Sequence, residues 1–373
     1  MAMHPNTAEK QGFTGRFRFA DWRFEKRANN STTVLVLVPI LSIVVGLLFS
    51  ALFIAATGKE PLKVYALMLD GAFGSTYGIS ETVVKAIPLM LCSLAVSIAF
   101  RMQLWNIGAE GQLYMGAFGA SWVALNHPDW PAFALLPAMA IVGMALGGLW
   151  GLLPAIPRAY MKVNETITTL LMNYIAILWV DYFVYGPWKD PNGFNFPITA
   201  PFSASAILPA FGTSRIHTGL LLALITAGIL YFVLRHTRWG FEIRVSGESP
   251  SAARYAGMNH IKNILVVMFI SGALAGLAGM TEVSGITQRL QHGISPGYGY
   301  SAIIIAWLAR LHPWAIVFVS FIFGGLLVGG YSIQTSGFPA ATVSMLQGAI
   351  LFFVVGGEIF VNYRLRTGGK EER

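Results

Sequence analysis

Apolar residues in this chain of 373 residues fall into long blocks separated by short polar breaks. Roughly twenty apolar residues cross the hydrocarbon of a bilayer as a helix. By that ruler the blocks at 34–56, 82–100, 104–125, 132–155, 165–185, 219–234, 263–283, 296–310, 314–331 and 341–357 predict ten spans. The expected fold is all-α: a polytopic transmembrane helical bundle. The stretch between the first two blocks, "GKEPLKVYALMLDGAFGSTYG", is too polar to span and predicts a short helix on the outer side. The longest outer interruption, 186–218, is rich in Pro and aromatic residues.

Two blocks are flawed in a telling way. "LWNIGAEGQL" (104–113) places Asn106, Glu110, Gln112 and two glycines where the chain should be most apolar. Counted from Gln112 the third block is too short to cross, so an irregular turn must lie in or near the membrane. Backbone of that kind is tolerated only when buried in protein or lining a cavity. The amides that open the following helix offer positive dipole to a polar solute, and Asn106, Glu110 and Gln112 supply donors and acceptors suited to sugar hydroxyls or a base edge. The alternative is that these side chains merely satisfy the broken backbone or cap the helix. In the second half "HGISPGYGYSAIIIAWLARL" repeats the theme, with Gly and Pro opening a short apolar segment. Paired interruptions in two halves of a transporter point to a transport site. Tyr298 and Tyr300 there either present rings to a solute or anchor at the interface.

A third polar stripe opens the fifth span. In "VNETITTLLMNYIA", Glu165, Thr169, Met172 and Asn173 share one helix face by their spacing, and such a face turns to the bundle interior or a wet cavity. Asn164 suits an N-cap and Glu165 a first turn, but Asn173 lies too deep for capping of its own helix. Asp181 and Glu282 fall near the outer ends of their spans, where headgroups or outer loops would meet them. Spacings of four in Gly143–Gly147–Gly151, Gly272–Gly276 and Gly325–Gly329 predict close helix packing.

Composition agrees. Hydrophobic residues make up 55% and charged ones 11%, with a mean hydropathy of +0.61, against roughly 25% charge in a soluble domain. The net charge of +8 reads as topology and not as affinity for nucleic acid. With the N-terminus inside, nineteen of the twenty-five Lys and Arg fall in cytoplasmic segments, as basic residues should. The chain then divides into a basic cytoplasmic extension at 1–33, a transmembrane domain at 34–357, and a cytoplasmic tail at 358–373. The first helix is not preceded by a signal peptide pattern; the extension is either an interfacial helix on anionic lipid or a positive anchor. The single Cys92 lies in an apolar run and reads as core. Nothing predicts a catalytic constellation, a metal site or a cofactor, and no G-x-x-x-x-G-K-[ST] phosphate loop is present. An ATPase, if one drives transport, is a separate polypeptide.

The longest inner loop, "RHTRWGFEIRVSGESPSAARYAGMNHIK", turns at Gly247, Ser249 and Pro250 and then offers one short helix of small residues. It is either a plug for a partner's cleft or a plain connector. Together, "LWNIGAEGQ", "VNETITTLLMNYIA", "RVSGESPSAARYAGM" and "GYGYSAIIIAWLARLHP" resemble the permeases of bacterial ABC importers for nucleosides, within a wider family that also moves simple sugars and branched-chain amino acids. The similarity runs from about residue 51 to 357. It implies a second, similar permease subunit, a cytoplasmic ABC ATPase, a periplasmic or lipoprotein substrate-binding protein, and a place in the bacterial inner membrane. It also implies that Gly247, Glu248, Pro250, Ala253, Tyr255, Ala256 and Gly257 belong to the coupling helix, and that the segments around Glu110 and Tyr298 belong to the solute path. Sugar permeases of that family usually carry Asp-Leu-Ser where this chain has "NIGAEGQ", which favours a nucleoside over a sugar. Outside the family, an ion-coupled transporter would need a deep carboxylate or His, for which Glu110 is the one good candidate. A channel is disfavoured, since no ring-forming filter sequence appears.

Overall fold

A computed structural model describes residues 22–26, 32–335, 337–339 and 341–367. The first half contains β1 (Trp22–Lys26), α1 (Thr32–Ala56), α2 (Pro61–Phe73), α3 (Thr76–Arg101), α4 (Ala109–Asn126), α5 (Ala132–Met161) and α6 (Glu165–Tyr185). After a long loop with one 3-10 turn come α7 (Gly219–His236), α8 (Arg238–Glu248), α9 (Pro250–Tyr255) and α10 (His260–Glu282). A π-helical turn, Val283–Thr287, then leads to α11 (Tyr298–Leu308), α12 (Pro313–Thr335), α13 (Ala341–Asn362) and β2 (Tyr363–Thr367). The bundle is all-α apart from β1 and β2, which pair antiparallel, Trp22 against Thr367, and so bring the two ends of the described chain to the same side. Most of the basic extension expected at 1–33 lies outside the described residues.

Ten spans were expected; judged by length and apolarity, seven helices qualify among the described residues, or eight if a bent pair counts as one span. That pair is α1 with α2, which turn by 115° at the break. Pro61 opens α2, and the helix predicted between the first two spans is this one. The others that fall short are α4, whose first turn carries Glu110 and Gln112, and α11, with only 11 residues. The missing spans are the interrupted ones.

α3 and α10 form the centre, buried on nearly every side. α5 packs on α10 through glycine: a Cβ on Gly276 would lie 2.3 Å from the Gly143 carbonyl oxygen, and one on Gly147 would lie 2.5 Å from that of Gly272. Only a hydrogen at these positions lets the two backbones touch. Gly116 of α4 joins them, its absent Cβ being 2.2 Å from Gly276 Cα. Large apolar side chains of α1, α5, α6 and α7, such as Leu52, Ile141, Leu178 and Ile229, point outward and are exposed, as suits a surface solvated by lipid.

Candidate functional site: two broken helices capped in trans

α3 ends at Arg101, and residues 102–108 run back into the bundle without helical structure. In the other half, residues 288–297 do the same before α11. Both new helices begin deep inside. Asn106 reaches the middle of α10, its Nδ2 donating to Ser271 Oγ at 2.9 Å, and Ser271 in turn donates to the Ala95 carbonyl of α3 at 2.6 Å.

The non-helical stretch is satisfied mainly by the polar stripe of α6. Glu165 Oε1 accepts the Trp105 amide at 3.2 Å, and Thr169 Oγ1 accepts that of Ile107 at 3.2 Å. Asn173 takes two groups at once: its Oδ1 accepts the Gly111 amide at 2.8 Å and its Nδ2 donates to the Ile107 carbonyl at 2.9 Å. Gly111 lies in the first turn of α4, so Asn173 caps that helix from another helix. Asn106 and Gln112 close the turn with a reciprocal amide pair at 3.0 and 3.1 Å. All five of these side chains are buried. Asn164 caps α6 itself, accepting from Thr166 N–H at 2.9 Å, and Glu165 is also paired with Arg158 at 3.1 Å.

Glu110 performs the same service for α11. Its Oε2 accepts the Gly299 amide at 2.6 Å, with the Ser295 hydroxyl and Gly297 amide beside it. The two helices meet end to end so closely that a Cβ on Gly299 would lie 2.2 Å from the Glu110 nitrogen. Two helix N-termini carry like partial charges of roughly +0.5 each. One carboxylate between them offsets both, which is a physical reason for an acidic residue at this depth. The circuit closes through Tyr300, whose hydroxyl accepts from Asn173 Nδ2 at 3.3 Å. Tyr300 is 37% exposed and Trp105 45%; Trp105 stacks on Trp307 at 5.8 Å between centroids. Tyr300 and Trp307 lie at opposite ends of α11, and Trp105 lies in the non-helical stretch before α4.

Tyr298 stands apart. It is fully buried and turns to Lys85 and Glu282 instead of to Tyr300. Glu282, expected among headgroups or outer loops, is instead 2% exposed; the chain folds α3 against its end and supplies Lys85 as partner. Asp181 makes a 2.7 Å contact with His292 in the non-helical segment before α11. Sequence reasoning missed Lys85, Trp105 and Trp307, and put Glu282 in the wrong surroundings. A lone Lys inside an otherwise apolar block was the available signal for the first.

The loop between α7 and α10 holds two helices, α8 and α9, where one was expected. Ser249 caps α9, accepting from Ala252 N–H. Gly247 is buried against the end of α3, its absent Cβ 2.3 Å from the Arg101 carbonyl oxygen, and Ala253 is buried too. Ala253 therefore packs within this chain. Glu248, Pro250, Ala256 and Gly257 are exposed, and Tyr255 is 98% exposed.

A multi-pass bundle whose polar centre is built from interrupted helices is a membrane transport protein in its architecture. Residues 78–355 match the model of the family described as branched-chain amino acid transport system / permease component, and the chain belongs to that family. It is 36% identical to the guanosine ABC transporter permease protein NupP of Bacillus subtilis, over 90% of this chain and 97% of that one. It is also 36% identical to the glucose ABC transporter permease protein TsgB13 of Haloferax volcanii, over 88% and 89%. Identity to the nucleoside ABC transporter permease protein NupB of Lactococcus lactis subsp. cremoris is 30%, over 87% and 92%.

Proposed function

We propose that this permease carries nucleosides inward across the bacterial inner membrane, with both termini cytoplasmic, as one transmembrane subunit of an ATP-driven importer. A separate ATPase, a substrate-binding protein and a second permease subunit complete the assembly. The observation that carries the reading is the pair of broken helices meeting at Glu110 and Gly299. Their amino ends and the ring of Tyr300 beside Asn173 suit a solute that has both hydroxyls and a flat base. Because Tyr300 and Trp105 are exposed at the edge of a single chain, a second permease subunit facing them would complete the path between the two. Asn106, Gln112, Glu165, Thr169 and Asn173 then act by holding the path's backbone, with Glu110 as its gate and Tyr300 at its wall. The exposed part of α8 and α9, Tyr255 foremost, is the ATPase contact. Two relatives at equal identity name guanosine and glucose, so a sugar is the second reading.

The test is uptake in proteoliposomes holding the permease pair, the ATPase and the binding protein, with guanosine and glucose offered in parallel. Nucleoside uptake that needs ATP hydrolysis supports the proposal. Uptake of glucose alone replaces the substrate. Robust uptake under a proton or sodium gradient with no ATPase present removes the mechanism.

A further inference from the structure

Three elements meet at one buried cluster outside the junction just described. Lys85 of α3 places its Nζ 3.1 Å from the Tyr298 hydroxyl and 3.8 Å from Glu282 Oε1. The Tyr298 hydroxyl also donates to Glu282 Oε1 at 3.5 Å. Glu282 is the last residue of α10 and Tyr298 the first of α11. Side-chain exposure is 17% for Lys85 and 3% for Glu282, and Glu282 Oε2 has no hydrogen-bond partner.

Such a cluster is a poor device for stability. Buried ion pairs rarely outperform apolar packing of the same volume, and ionisable groups inside a membrane bundle are costly wherever they occur. Its position suggests a different use. The chain leaves α10 through a π-helical turn and enters α11 after Gly297, whose φ of 95° is left-handed. Both are weak points in helical continuity. The amino end of α11 is thus separated from α10 by two breaks in helical continuity and held by two carboxylates: Glu110 on the Gly299 amide, and Glu282 through the Tyr298 ring.

We infer that Lys85 and Glu282 are positioning residues that act through Tyr298 to set how readily the α4–α11 junction opens. The inference rests on the proposed solute path, but its test needs no solute. In full-length permease in nanodiscs, with Cys92→Ala, a reporter thiol is placed by Ser301→Cys, a buried position one turn into α11. Labelling by a maleimide then reads opening of that end. Lys85→Met and Tyr298→Phe, the latter keeping the buried ring, should each raise the labelling rate about tenfold, which is an opening free energy lowered by about 1.4 kcal/mol. The exchange Lys85→Glu with Glu282→Lys should bring the rate back towards that of the parent. A control thiol from Ser320→Cys, buried in α12, should not respond. An unchanged rate at position 301 overturns the inference, and so does an equal rise at 301 and 320, which would mean general loosening. If Lys85→Met does not fold, Tyr298→Phe decides alone.

Discussion

Replacing Glu110 tests the junction most directly. In the protein its carboxylate accepts the Gly299 amide at 2.6 Å and lies against two helix amino ends. Glu110→Gln keeps the length and an acceptor oxygen but gives up the charge. A hydrogen bond to a charged group contributes roughly 1.5–3 kcal/mol and a neutral one roughly 0.5–1.5, so the exchange should cost about 1 kcal/mol. Loss of the favourable dipole interaction at the amino ends adds about 0.5–1 kcal/mol in a partly shielded site. Glu110→Ala removes the acceptor altogether and leaves a buried amide unpaired, a further penalty of roughly 1–3 kcal/mol. The expected order of stability is parent, then Gln by about 2 kcal/mol, then Ala by about 4 kcal/mol, measured by thermal unfolding in nanodiscs. Uptake normalised to folded protein should fall in Glu110→Gln, because the charge that holds the two ends together also sets their separation. Equal stability of the Gln and Ala variants would show that the carboxylate does not satisfy Gly299. Unchanged uptake in Glu110→Gln would leave it a cap only.

Asn173→Ala strands the Gly111 amide and the Ile107 carbonyl together and should cost roughly 2–5 kcal/mol, while Thr169→Val removes one of two acceptors from the Ile107 amide, which keeps the Trp105 carbonyl, and should cost about 1 kcal/mol or less; thermal unfolding compares them. Gly116→Val drives a side chain into Gly276 Cα and should prevent assembly of a folded bundle, read as loss of a monodisperse peak in size-exclusion chromatography. His217, in the long loop before α7, is buried, and burial pushes its imidazole down to about 4 from 6.5. A folded value below the unfolded one means full stability above pH 6.5, lost as pH falls towards 4, with about 3 kcal/mol at stake; His217→Phe should flatten that part of the pH–stability curve. Tyr255→Ala should leave folding untouched, because the ring packs on nothing within the chain, and should uncouple ATP hydrolysis from uptake; coupling equal to the parent would mean that α9 is only a connector.

Much of this was legible in the sequence because membrane helices announce themselves by length. The blocks at 82–100, 132–155, 165–185, 219–234 and 263–283 each lie within a helix found there, apart from one residue of the last that falls in the π-helical turn. Interruption was legible too, since Gly and polar residues inside an apolar block break the helix that the block would otherwise form. The partner of each polar group was not. Asn173 reads as a residue facing a cavity until α4 is placed beside it, and only then does its amide match a broken backbone 62 positions away. Glu282 shows the same limit: one-dimensional depth put it near the outer surface, whereas packing of α3 on α10 buries it. The burial of Ala253 was not legible because smallness suits docking outward and packing inward equally well, and periodicity over the six residues of α9 cannot separate the two.

The exchange of caps between helices has a consequence for how the chain is made. At roughly 5–20 residues per second, the Gly111 amide must wait about 3–12 s after synthesis for Asn173. The Gly299 amide that donates to Glu110 arrives 189 residues later, after about 10–40 s at the same pace. Irregular backbone cannot be left facing lipid during that time. The segment from 102 to 113 therefore has to be sheltered until α6 and α10 are in place, in the insertion machinery or in the headgroup region. A ribosome stalled before residue 173 should display this segment as accessible to water-soluble reagents, and one released after residue 300 should not. Biogenesis of this permease is then ordered by its polar centre, and truncation between those two points produces a chain that quality control can recognise by its unsatisfied backbone alone.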